Sequence, residues 1–353
     1  MFHRQIIIAQ KNHAFYHVPS LVVAPDGSVL AFCEERWRSP CDDTGECHIV
    51  MKKSRDHGQT WGDLVHLRRK PGAKYHMGSA VVDPHDGRVL LMCGGGWLQS
   101  ADHGDTWQDW SPVVHDVAGA ERGATHGSAP GMVKGYGAHR GRILWPARTI
   151  VSTDGYNDLS IPDRRQKCYS MVLYSDDHGA TIRSSNYFLQ GTGEACLAER
   201  MNGDLYVNAR AYWGDHQRKT AVSHDGGARF METPPDSRLR EMDQGCNASL
   251  LRYPPALCGG RDILLFANPD TTGEYREHGV VHASLDGGRT WPVKKEVTPW
   301  GAWFDYSAMT VGRDGTVLLM YKTTPGMAGI PSSADGCCSM ALARFDLDWI
   351  GIM

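Results

Sequence analysis

The chain has 353 residues, with 37 Lys and Arg against 40 Asp and Glu and a net charge of -3. That balance supplies no electrostatic reason for a nucleic-acid partner, and the short run Leu67–Lys70 reads as solvated surface. The longest apolar stretch near the start, Ile6–Ala9, is far too short to span a bilayer or form a secretory h-region, so no membrane contact is expected and a cytoplasmic setting is.

In chain order, apolar runs paired through tight turns appear six times. They are Ser20–Glu35 around a D-G turn, the run from Ser79, the run from Gly131, Glu194–Arg210 around an N-G turn, the run from Ala248, and the run from Ser307. Five are followed by a box of the form S-x-D-x-G, beginning at Ser54, Ser100, Ser175, Ser223 and Ser284 and usually completed by T-W. In such a turn Asp accepts backbone N–H groups, Gly supplies a positive φ, and the aromatic packs back onto the strands. Asp56, Asp102, Asp177, Asp225 and Asp286 therefore read as folding residues. Recurrence at roughly 45–75 residues suits a four-stranded unit with variable loops, and predicts an all-β, six-bladed β-propeller occupying 1–353 as a single domain. The sixth unit lacks a box and ends in CSMALARFDL, so Arg4–Gln10 is expected to supply its outer strand and close the ring. Gly94–Gly96 precedes no helix and is not expected to cradle phosphate.

Ten cysteines without framework spacing point to reduced, buried thiols, although Cys41 and Cys47 flank an acidic loop where a bridge is conceivable. Of the seventeen histidines, His57, His103 and His178 share one position of the box and follow from the repeat. His278 and His282, roughly 13 Å apart in an extended segment, cannot share an ion. Neither a metal site nor a cofactor is expected. The sequon at Asn247 opens a predicted strand and is expected to stay unmodified.

Polar residues that interrupt the apolar pattern at strand ends point to one face of the propeller. There, from Phe15 to Leu347, the chain resembles the sialidases with Asp-box (BNR) repeats. The matching stretches are YHVPSLVVAPDGSVLAFCEERWRSPCDDTGECHIVMKKSRDHGQTW, GEACLAERMNGDLYVNAR, REHGVVHASLDGGRTW and FDYSAM. The resemblance implies retaining exo-hydrolysis of a sugar that bears a carboxylate on its anomeric carbon, with a tyrosine as nucleophile. A neutral phenol avoids the repulsion an attacking carboxylate would meet, but it titrates near pKa ~10 and needs a base against it. Carried over by motif, Tyr306 is the nucleophile, Glu194 its base and Asp43 the general acid, with Asp42 as the fallback. Arg210 and Arg276 match two of three arginines that grip the substrate carboxylate with planar forks. Arg36 matches a neighbouring arginine, and Glu34 the glutamate that orients it.

The departure is at the first arginine: where the family has Y-R-I-P, this chain has Y-H-V-P, and His17 stands in its place. A lost fork costs roughly 1.5–3 kcal/mol if nothing replaces it. A histidine helps most when protonated, so Glu34 is expected to favour that charge and turnover to rise towards pH 5–6, roughly where imidazole ionises. The implied substrate is a sialylated glycan or another acidic sugar glycoside. Two alternatives stay open: a non-catalytic carbohydrate- or protein-binding propeller, for which the boxes alone suffice, and an enzyme for a different acidic sugar, which His17 supports.

Overall fold

Apolar runs buried on both faces, such as Val29–Cys33, form strands that pack between neighbouring sheets and avoid facing water. In a computed structural model of the chain, which describes residues 1–40, 45–94, 96–115, 125–126, 129–151, 167–212, 216–324 and 338–352, these strands build six sheets. Five are four-stranded and the third is an irregular seven-stranded sheet. The fold is a six-bladed β-propeller. The first blade shows the plan, with strands Ala14–Val23, Val29–Trp37, Glu46–Ser54 and Val65–Arg68 running antiparallel from the centre outwards.

The sixth blade is closed by the opposite end of the chain. Phe2–Ile8 pairs with Ser339–Phe345 from Phe2↔Phe345 to Ile8↔Met340, two residues earlier than the Arg4–Gln10 segment expected from sequence. Apolar clusters fill each junction between blades: Phe32 and Leu91 meet between the first and second, for instance, and Ile7, Leu21 and Leu318 between the sixth and first. Removing such buried area from water at about 25 cal/mol per Å² drives the blades together.

The boxes lie at the far end of the third strand of their blade. Ser54 Oγ accepts the Gly58 N–H at 2.8 Å, and Asp56 accepts the N–H and hydroxyl of Thr60 at 2.8 and 2.6 Å. The same bonds recur at Ser100, Ser175 and Ser284. Each turn needs two successive residues at positive φ. His57, His103 and His178 (φ 57–60°) fill the first position where the last two boxes have Gly226 and Gly287.

At the opposite end of the blades the innermost strands are interrupted by bulges. Register shifts fall between His17 and Ser20, Met77 and Ala80, Thr192 and Ala195, and Asp305 and Ser307. A bulge re-aims side chains from the sheet plane, and these bring His17, Glu194 and Tyr306 to one end of the central channel. Val18 at φ 51° and Tyr306 at φ 43° take up the distortion in a conformation that β-branched and aromatic residues rarely adopt.

Candidate active site

Tyr306 stands at the entry of the innermost strand of the sixth blade, its ring almost wholly buried. Its hydroxyl donates to Glu194 Oε1 at 2.5 Å, and Arg210 Nη1 donates both to Glu194 Oε2 at 2.7 Å and to the phenolic oxygen at 3.0 Å. Phenol, carboxylate and guanidinium thus form a closed triangle across the fourth and sixth blades. Burial pushes the Glu194 carboxyl upwards, but the charges of Arg210 and Arg148 and the Tyr306 bond outweigh it and hold the group below its usual value. It is held as a carboxylate that accepts the phenol's hydrogen bond.

Local sequence explains the aim. A Cβ at Gly193 would come within 2.4 Å of the Tyr212 hydroxyl, so only glycine lets the backbone before Glu194 pass that ring. Arg210 ends the second strand of the fourth blade, and its Nε donates to the Gln244 carbonyl at 3.0 Å. Next to it, Gly245 accepts from Arg276 Nη2 at 3.5 Å, so one turn orients both arginines. Arg276 also pairs through Nη1 with Asp305 Oδ1 at 2.6 Å and lies 5.3 Å from the Tyr306 ring centre. Its buried Nε finds no hydrogen-bond partner among the described residues.

His17 is also present, edge-on to Tyr306 with ring centres 4.8 Å apart, but its chemistry differs from the expectation. Val18 N–H faces Nδ1 at 2.9 Å and the Lys322 ammonium faces Nε2 at 2.8 Å. Both ring nitrogens face N–H donors; a neutral imidazole can accept at one of them, an imidazolium at neither. Burial first, and then the charges of Arg36 and Lys322, push its pKa well below the usual histidine value, and Asp305 only partly offsets them. Glu34 does not supply the counter-charge. Its carboxylate is engaged by the fork of Arg36, at 2.7 Å to Nε and 2.6 Å to Nη2, and by the Met77 N–H at 2.8 Å, with its pKa held down to about 2. The depressed pKa and the facing ammonium favour the neutral ring, so, against the expectation from sequence, no gain in turnover follows from its protonation at pH 5–6.

The charge is provided instead by Lys322, which sequence reasoning passed over. It is buried at the end of the second strand of the sixth blade, ion-paired with Asp305 Oδ2 and against His17. Arg148, in the second strand of the third blade and bonded to the Tyr212 hydroxyl at 3.1 Å, was also missed. A common signal was available: WPAR, VNAR and LMYK each close a second-strand apolar run with a cation. Cys246 is a further unexpected neighbour. Its thiol, pushed up to about 12 mainly by burial, donates to Asp305 Oδ1 at 3.3 Å and accepts the Tyr306 N–H at 3.5 Å, bracing the bulge. Asp42 and Asp43 lie outside the described residues, as does Cys41. The eight described cysteines are all buried.

Among the described residues around Tyr306, Arg210, Arg276 and Lys322 pair with Glu194 and Asp305, while Arg36 and Glu34 neutralise each other. Among these described residues the excess of positive charge suits an anionic ligand beside the Tyr306 hydroxyl.

A model of the BNR repeat-like domain matches residues 94–319. The chain is 28% identical to a sialidase of Micromonospora viridifaciens over 95% of its length, and 25% identical to one of Bacteroides fragilis over 89%. It spans 52% and 61% of those two proteins. Among solved structures, an intramolecular trans-sialidase from Ruminococcus gnavus superposes with a TM-score of 0.77 at 16% identity, covering 96% of both chains. The Hadza microbial sialidase Hz136 superposes with a TM-score of 0.78 at 24% identity, covering 98% of this chain and 68% of the other. The chain belongs to the BNR repeat-like domain family and carries the six-bladed propeller of the sialidases.

Proposed function

We propose that the protein is a retaining exo-glycoside hydrolase that removes a terminal sialic acid, or a related nonulosonic acid, from a glycan through a tyrosyl-enzyme intermediate. The observation that carries this reading is the Tyr306 hydroxyl held at 2.5 Å from Glu194 with Arg210 bridging the two. A binding propeller has no use for that triangle. In the first step the phenolic oxygen attacks the anomeric carbon while its proton passes to Glu194. The glycosidic bond breaks, and Asp43 protonates the departing oxygen. Arg210, already a donor to the phenolic oxygen, stabilises the charge that develops there. In the second step Asp43 takes a proton from water, the water oxygen bonds to the anomeric carbon, and the tyrosyl bond breaks with return of the proton from Glu194.

Arg210, Arg276 and Lys322 receive the substrate carboxylate, with neutral His17 as a hydrogen-bonding wall. The replacement of a guanidinium by a His–Lys pair favours a second reading, in which the preferred sugar is an acidic one other than sialic acid. A lysine offers a point charge where an arginine offers a planar fork. The test is hydrolysis of a fluorogenic sialoside beside a panel of other keto-deoxy and uronic acid glycosides, with wild type and Tyr306→Phe. Turnover of a nonulosonic acid glycoside that the substitution abolishes supports the proposal. Turnover confined to another acidic sugar selects the second reading, and no turnover of any of them leaves a binding propeller.

A further inference from the structure

The first blade carries a cluster of ionisable side chains that the chemistry at Tyr306 does not use. Glu35 pairs across the sheet with His48, and successive strand residues point to opposite faces, so Glu35 looks away from the Glu34–Arg36 pair. His66, from the outer strand Val65–Arg68, reaches the same place. Glu35 Oε2 lies 2.7 Å from His66 Nε2 and 3.3 Å from His48 Nδ1, and one ligand atom from each of the three residues lies within 4.8 Å of the others.

We propose that Glu35, His48 and His66 form a binding site for a divalent first-row transition ion, held by two imidazoles and a carboxylate. Metal–nitrogen and metal–oxygen bonds of about 2.0–2.2 Å place tetrahedral ligand atoms about 3.4 Å apart; the Glu35–His48 pair already stands near that spacing, and the Glu35–His66 pair has to open by less than an ångström. The donor set is that of zinc and its neighbours, because imidazole is too soft a ligand for calcium or magnesium.

The surroundings supply what ligands of such a site need. A metal-bound histidine commonly donates its other ring N–H to a carboxylate. His48 is 2% exposed, its Nε2 has no hydrogen-bond partner among the described residues, and Glu46 Oε2 stands 3.4 Å from it. With Nδ1 on the ion, Nε2 carries the proton that Glu46 accepts. The second oxygen of Glu35 faces the Tyr16 hydroxyl at 3.4 Å, which fixes the carboxylate. His66 and Glu46 retain partial exposure and leave a path for entry. A neighbouring trio, Glu34, Cys47 and His76, lacks this readiness: Glu34 is taken by Arg36 and Met77, and the Cys47 thiol donates to the Tyr75 carbonyl at 3.1 Å.

The ion would tie the outer strand Val65–Arg68 to the strand Val29–Trp37, which holds Glu34 and Arg36, and to the strand Glu46–Ser54. Its effect is therefore stability of that corner, and it does not depend on the reaction proposed above.

Tag-free full-length protein, stripped with a chelator and dialysed, is titrated with Zn²⁺ by calorimetry, and the bound metal is counted by mass spectrometry. One zinc per chain is expected, with a rise in melting temperature that the chelator reverses. His66→Ala and Glu35→Gln are each expected to weaken binding at least tenfold while melting, without zinc, as metal-free wild type does. Co²⁺ in place of zinc is expected to give the visible absorption of a four- or five-coordinate site in wild type only. Absence of binding, or equal zinc affinity in wild type and in whichever of the two variants folds, overturns the proposal.

Discussion

Replacing Lys322 by Met tests the electrostatics of the site most searchingly, because Lys322 serves both Asp305 and His17. Asp305 is fully buried and its pKa is held far below the usual value, against burial, chiefly by Arg276 and Lys322. Without Lys322 it keeps Arg276 at 2.6 Å, but among the described residues Oδ2 is left facing His17 Nε2 at 3.7 Å. Breaking a buried pair by removing one partner costs about 3–5 kcal/mol. At roughly 2 °C per kcal/mol for large domains, this predicts a loss of about 6–10 °C in Tm at pH 8. At lower pH the deficit should shrink. With the ammonium gone, His17 can take a proton and pair with Asp305, so its folded-state pKa rises, and stabilisation gained from that proton is present at low pH and lost as pH rises through that pKa. Differential scanning calorimetry between pH 5 and 8 measures both terms, and the KM for an acidic sugar glycoside should rise in parallel. A Tm within 1 °C of wild type throughout, or a deficit independent of pH, would refute the reasoning.

Other outcomes follow from the same geometry. In wild type the depressed pKa of His17 means that the folded state binds fewer protons than the unfolded chain below about pH 6.5, so stability falls as pH drops through that range. His17→Asn should flatten this fall in a pH series of melting curves, and wild-type kcat/KM should show no rise between pH 7 and 5 of the kind imidazole protonation would give. Arg210→Lys retains charge but cannot serve Glu194, Tyr306 and the Gln244 carbonyl together. The loss of a charged hydrogen bond, about 1.5–3 kcal/mol, predicts a fall in kcat/KM of roughly 10–150-fold in steady-state assays. Ser54→Ala strands the buried Gly58 N–H at the far end of the first blade, and should lower stability by about 1–3 kcal/mol in denaturant titrations with kcat/KM unchanged.

How far the sequence could be read depends on the range of the interactions involved. The blades were legible because each is specified locally: Ser54, Asp56, Gly58 and Thr60 close their turn within seven residues, and the pattern repeats. Closure of the ring by the first residues was legible too, because the sixth unit lacked a partner strand. The position of Tyr306, Glu194, Arg210 and Arg276 at one end of the channel followed from motif order in the resemblance, with Tyr306, Glu194 and Arg210 near strand ends and Arg276 in the loop before Gly279–Ser284. The state of His17 did not follow. It is fixed by Lys322, 305 residues away, and by burial, neither of which the Y-H-V-P segment reveals. Likewise the bulges at Tyr306 and Glu194 carry no composition signal beyond Gly193. The Glu35, His48 and His66 cluster escaped the histidine survey because its members come from three strands and meet only through sheet register.

The account turns on Tyr306 forming a covalent bond to the sugar. Protein incubated with a 3-fluorinated sialosyl fluoride, whose ring fluorine slows the second step, is digested and its peptides are mapped by mass spectrometry. A sugar adduct on Tyr306 in wild type, much reduced in Glu194→Gln and absent in Tyr306→Phe, is the predicted result. Turnover of a sialoside by wild type with no adduct at Tyr306, or an adduct on another residue that persists in Tyr306→Phe, would contradict it.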